Sequence, residues 1–138
     1  MQQRDFIKEQ IEQLGRSLGK ILAVFLGYKT QGTITQGIEI TNQQLQSELD
    51  IDVEKLVGLN ANELKAFLDS KHLKGLHLDL LAEYFFDIGQ SKHNQKTAIP
   101  YYETAIRLID LAAIYSNTLT FERMELRRRV EDELSKDH

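Results

Sequence analysis

The chain has 138 residues, enough for one domain that buries about two thirds of its unfolded surface. Eight glycines and one proline leave no room for a long linker. With 41% hydrophobic and 28% charged residues it reads as a soluble globular domain, and the absence of cysteine excludes disulfides, thiol catalysis and zinc-finger chemistry. A net charge of −4 argues against nucleic acid, whose contacts depend on Lys and Arg neutralising phosphates. The longest wholly apolar run, Ile21 to Leu26, falls far short of the ~20 residues that span a bilayer. The opening Met-Gln-Gln-Arg-Asp-Phe lacks signal-peptide character, so a cytoplasmic setting, bacterial or similar, is expected.

The spacing of apolar residues predicts helices almost throughout. From Asp5 to about Leu26, residues Ile7, Ile11, Leu14, Leu18, Ile21 and Phe25 alternate steps of four and three, a heptad-like seam. Leu22 and Leu26 widen it, so the second half of this helix is expected to be deeply buried. Gly15 and Gly19 each lower helix stability by roughly 1 kcal/mol relative to Ala, and a close crossing by another helix is the expected reason for them. Gly27 to Gly32 reads as a turn, and Thr33 with Gln36 as a capping box opening a helix to about Leu49. That box and Gly37 outweigh the β-branched character of Thr33 to Ile40. Asp52 is expected to cap a short helix ending near Gly58. Asn60 and Glu63 are expected to cap another helix through about Leu68, with Leu59 and Leu64 as a hydrophobic staple.

Further on, Leu78, Leu81, Ala82 and Phe85 fall on one helical face, and Gly89 offers a left-handed exit. After a polar connector, Ser91 to Lys96, Thr97 is the expected N-cap and Pro100 is placed in the first turn. Ala98, Tyr102 and Ala105 continue the period, with small residues allowing close approach and Tyr102 filling the gap between the helices. Thr120 starts a last helix with Phe121, Met124, Val130 and Leu134 as its apolar positions. In it Arg127, Arg128 and Arg129 lie four before Glu131, Asp132 and Glu133, and Glu125 lies four before Arg129, which reads as a solvated, salt-bridged face.

From Leu78 to Asp110 the chain resembles the tetratricopeptide repeat. Leu81, Ala98, Tyr102 and Ala105 match its signature, Ala82 stands in for Gly and Phe85 for Tyr, while Leu78 replaces a large aromatic and Asp110 the closing Pro. The connector is about four residues longer than the repeat allows, and an ordinary antiparallel helix pair would carry similar residues. A weaker echo places Ile11, Leu14, Gly15 and Leu18 on a first helix and Ile34, Ile38 and Thr41 on a second. The whole chain is also similar to a bacterial family of domains of unknown function, through Phe6-Ile7, Gly15, Ile21-Leu22 and Phe121-Glu122-Arg123, which implies no activity.

The expected fold is therefore all-α, a single domain of about six or seven helices. It comprises an N-terminal hairpin (1–50) with a long amphipathic first helix, a spacer of short helices (51–74), a tetratricopeptide-like hairpin (75–118) and a C-terminal helix (119–138). Two hairpins fall below the three repeats such arrays need, so a terminal helix or a second subunit would have to complete the core.

The tetratricopeptide resemblance implies that Asp79, Glu83, Phe86 and Asp87 face a ligand, three carboxylates and an aromatic suited to a basic segment. The competing reading makes the carboxylates the wet side of the helix and sends Phe86 into the core. His72, His77 and His93 lie near this row, but the paired Glu-x-x-His signature of bundle metal sites is absent. Phosphate-loop, hydrolase-elbow and dinucleotide motifs are missing as well. The expectation is a non-enzymatic protein-interaction module without cofactor or metal, binding a protein or peptide and neither nucleic acid nor membrane. The alternative is a small homodimer assembled through the seam Ile7, Ile11, Leu14, Leu18, Ile21 and Phe25, and a metal-dependent enzyme comes third.

Overall fold

The computed structural model describes residues 2–136, with side chains from Ile7 onward, so the Phe6 side chain of the family resemblance lies outside the described residues. The described residues form seven helices: α1 (Gln2–Thr30), α2 (Ile34–Leu49), α3 (Val53–Val57), α4 (Ala61–Ser70), α5 (Gly75–Ser91), α6 (Gln95–Ser116) and α7 (Phe121–Leu134). There is no strand among the described residues, as the all-α reading expects.

Contacts between named residues fix the helix directions. Gly15 meets His77, Phe25 stacks edge-on against Tyr84, and Lys29 pairs with Asp87, so α1 and α5 run parallel. Asp79 pairs with Arg123, and Phe86 lies under Arg129, so α5 and α7 also run parallel. Late α5 meets early α6 at Gly89 and Tyr102, and Gly75 meets Ala112 and Ser116 at the other end, which makes α6 antiparallel. One layer thus holds α1, α5 and α7 side by side with α5 in the middle, and α2 and α6 complete two hairpins behind it. The α5–α6 pair forms the most extensive interface of the molecule.

The core follows from this placement. Leu78, Leu81, Ala82 and Phe85 of α5 and Ala98, Tyr102 and Ala105 of α6 are all buried, as their spacing requires. Gly89 does not end its helix. It is buried inside α5, and a Cβ there would come within 2.5 Å of the Tyr102 ring, so this glycine makes room for the aromatic across the hairpin. The connector shrinks to residues 92–94, because Asn94, not Thr97, caps α6 by accepting from the Lys96 N–H at 2.8 Å. Pro100 consequently lies inside α6 and past its first turn.

Of the N-terminal seam, Leu18, Ile21 and Phe25 are fully packed with Leu22, Leu14 is partly covered, and Ile7 remains half exposed. Leu26, expected in the core, is exposed because α1 faces α2 and α5 on one side only. The helix also runs a turn further than expected, to Thr30, which brings Tyr28 against Gly37 and Lys29 to Asp87. The turn is confined to residues 31–33, with Gly32 at φ 78. Thr33 forms no capping box: its hydroxyl donates to the Tyr28 carbonyl instead. The spacer follows its sequence closely. The Asp52 side chain caps α3 at the Lys55 N–H, and Asn60 with Glu63 forms a reciprocal capping box on α4. Tyr84 ties three helices together, its ring on Phe25 of α1 and its hydroxyl donating to Asn42 of α2, and burial pushes that phenol well above its ordinary value.

Candidate functional site

The four residues expected on a ligand-facing side of α5 have separate fates. Phe86 is buried, with its ring centroid 5.8 Å from that of Tyr102 and the Arg129 guanidinium 5.0 Å above it. Asp87 is also buried, only 2% exposed, and accepts a hydrogen bond from Lys29 Nζ at 2.9 Å. Both corrections have one cause: α5 is walled by α1, α6 and α7, so few of its positions face water. Asp79 is engaged by Arg123, whose Nε and Nη2 donate to its two oxygens at 2.8 and 3.0 Å. Glu83 alone of the row is exposed, and among the described residues it has no ion-pair partner.

The carboxylate row therefore acts mainly as a pair of struts. Asp79 fastens α7 and Asp87 fastens α1, while Glu83 stands between them at the mouth of a groove. Burial raises the Asp87 carboxyl above its ordinary value, with Lys29 and then Arg129 acting against that shift.

Arg123 is the residue that sequence reasoning missed. It is 7% exposed, and besides gripping Asp79 its Nη1 donates to Ser116 Oγ and the Thr118 carbonyl. The pair holds the guanidinium above its ordinary value, the Asp79 hydrogen bond being the largest cause. Its signal lay in the spacing to Val130, one heptad on, because Arg123, Leu126, Val130 and Leu134 form the inward face of α7. Phe121 and Met124, two of the apolar positions expected on this helix, are exposed. Of the three consecutive arginines, Arg127 grips Asp110 and Glu131, Arg128 bridges Glu125 and Asp132, and Arg129 covers Phe86.

Between α5 and α7 lies a groove of about 400 Å³. Phe121 and Leu126 provide its apolar surface, and Glu83, Glu122 and Glu125 add carboxylates, with Arg129 as a cation beside them. Phe121 is 72% exposed, an unusual state for the largest apolar side chain at a helix start. Only Asp79 and Glu83 of the expected residues reach this groove.

The histidines are not brought together as a metal site: among the described residues no three His, Asp or Glu side chains converge as ligands. His77 packs against Gly15, and its Nδ1 accepts from the Lys74 N–H, while burial and the Lys74 charge hold its pKa below the usual value. No helix among the described residues is long and apolar enough to cross a membrane. Comparison of the chain with protein-family models, with curated proteins and with solved structures gives no match.

Proposed function

We propose that the protein is a non-enzymatic interaction module of the bacterial cytoplasm that binds a basic segment of a partner protein in the groove between α5 and α7. The observation that carries this reading is Phe121, exposed beside Glu83, Glu122 and Glu125. An apolar anchor ringed by carboxylates fits a segment in which Lys or Arg flank one or two bulky apolar residues. The parallel layer of α1, α5 and α7 supports a kinship in kind with tetratricopeptide-like hairpins, which present such grooves on the layer of their first helices.

The test is titration of isotope-labelled protein with synthetic basic amphipathic peptides, followed by backbone amide shifts, for the wild type and for Glu83→Lys/Glu122→Lys. These glutamates are exposed, so the double variant keeps its fold, whereas a lysine at the buried Asp87 would set a second cation beside Lys29 in the core. Shifts confined to α5 and α7, weakened by salt and abolished in the variant, are the expected result. Acidic and basic peptides binding alike, or shifts unchanged in the double variant, would set the groove aside.

A further inference from the structure

The charges that line the α5–α7 groove fall into two groups. Asp79 is held by Arg123, and Glu125 by Arg128. Glu83, Glu122 and Arg129 have no ion-pair partner among the described residues. In this Arg129 differs from its two neighbours: Arg127 and Arg128 each bridge two carboxylates, whereas Arg129 is exposed with its guanidinium 5.0 Å from the centre of the buried Phe86 ring. Glu125 and Asp87 feel its charge, yet neither comes within ion-pair distance. An aromatic face holds a cation in place without taking its N–H groups as a carboxylate would, so Arg129 is positioned while its donors stay open to a ligand.

The three unpaired charges follow an order along the groove. Arg123 is level with Asp79 and Arg129 with Phe86, so Glu122 stands at the Phe121 end, Glu83 falls level with Leu126 and Arg129 marks the opposite end. From Glu122 to Arg129 is about two helical turns, or about 10 Å. Both walls of the groove also point their positive helix ends toward Phe121 and their negative ends toward Arg129, because α5 and α7 run parallel.

Resting on the reading of the groove given above, we infer that the partner segment is a helix lying antiparallel to α5 and α7, with a carboxylate in its first turn on Arg129 and lysines four and seven residues later on Glu83 and Glu122. In chain order the segment reads Glu-x-x-x-Lys-x-x-Lys followed by a bulky apolar residue, which comes level with Phe121. These positions share one face of a helix, and a helix seats its side-chain ridge in the cleft between two others. The direction follows from charge. Glutamate early and lysine late suit the partner's own macrodipole, and the antiparallel setting brings its negative end to the positive ends of α5 and α7. The same helix turned round would set lysine against Arg129 and glutamate against Glu122. Arg129 is thus the residue that gives the groove its direction, while the glutamates give it a preference for basic segments.

The test uses an alanine-rich helical peptide containing Glu-Ala-Ala-Ala-Lys-Ala-Ala-Lys-Leu, and its Glu→Gln form, titrated into wild type and Arg129→Gln. Wild type should bind the Glu form roughly three- to fivefold more tightly than the Gln form, and Arg129→Gln should bind the two alike. Arg129 is exposed and outside every ion pair of the described residues, so Arg129→Gln should keep the wild-type circular dichroism. In wild type alone, a nitroxide on the peptide's N-terminus should broaden backbone amides around Arg129 and spare those around Phe121. Equal affinity of wild type for both peptides, a preference for the Glu form that survives in Arg129→Gln, or broadening at the Phe121 end would overturn the inference. The groove reading would still stand if that binding were lost in Glu83→Lys/Glu122→Lys. Failure of this peptide where other basic amphipathic peptides bind would likewise overturn the inference alone, and failure of all of them would overturn both.

Discussion

The two ion pairs that fasten α5 to its neighbours bury opposite partners. In the Asp79–Arg123 pair the cation is inside and the carboxylate is 37% exposed, whereas in the Lys29–Asp87 pair the carboxylate is inside and the ammonium is 41% exposed. The guanidinium finds acceptors on α5, on α6 and in the connection before α7, so its charge and its N–H groups are matched together. The carboxylate finds one ammonium and keeps one oxygen bare. The difference teaches that a buried ion pair stabilises a fold according to how completely its inner partner is satisfied.

Substitutions that separate the two pairs would sharpen this contrast. Arg123→Ala is expected to cost about 2–4 kcal/mol, because it removes the charge-assisted bonds to Asp79 and leaves the Ser116 hydroxyl and the Thr118 carbonyl without their donor. Arg123→Lys should recover little, since an ammonium cannot hold both Asp79 oxygens and Thr118 together. Urea denaturation followed by circular dichroism measures both, and a loss below that of Lys29→Ala would break the comparison. Lys29→Ala is expected to lose about 1–3 kcal/mol at neutral pH, since Asp87 is left buried with Arg129 as its remaining cation.

Asp87→Asn should change stability by less than about 1 kcal/mol in either direction, because it removes a partly satisfied charge and frees Lys29 to water. The smallest effect is one of pH. The Asp87 carboxyl is raised by burial, with Lys29 and Arg129 opposing, so the folded chain holds that proton more tightly than the unfolded one. Wild-type stability should therefore rise relative to Asp87→Asn as pH falls from neutrality toward about 4. Melting temperatures of the two proteins across that range supply the test, and a gap that moves the other way would contradict the assignment of burial as the cause.

Much of this architecture was readable in the residues themselves. Asn60 with Glu63, Asp52 with its short helix, and the Ala98, Tyr102, Ala105 face all lie where local rules place them, because each depends on neighbours close in the chain. Asp87 was expected to face outward, Phe86 was sent to the core only by the competing reading, and Arg123 was given no place, all for one physical reason. A reading that gives each helix one buried face fails for a helix walled on three sides, and it sends charged residues outward by default. Phe85-Phe86 followed by Ile88 already departs from a single stripe, and that departure was the available sign of a central helix. The exposed Phe121 could not be read this way, since an aromatic at a helix start ordinarily packs inward.

The short α5–α6 connection carries a kinetic consequence. That hairpin closes over three residues, while the Asp79–Arg123 and Lys29–Asp87 pairs join positions 44 and 58 residues apart in the chain. Local contacts form before distant ones, so the hairpin should organise the transition state and the struts should lock afterwards. Loss of Arg123 would then leave the rate of folding almost untouched and appear as faster unfolding, making this arginine the residue that sets how long the molecule stays folded once made.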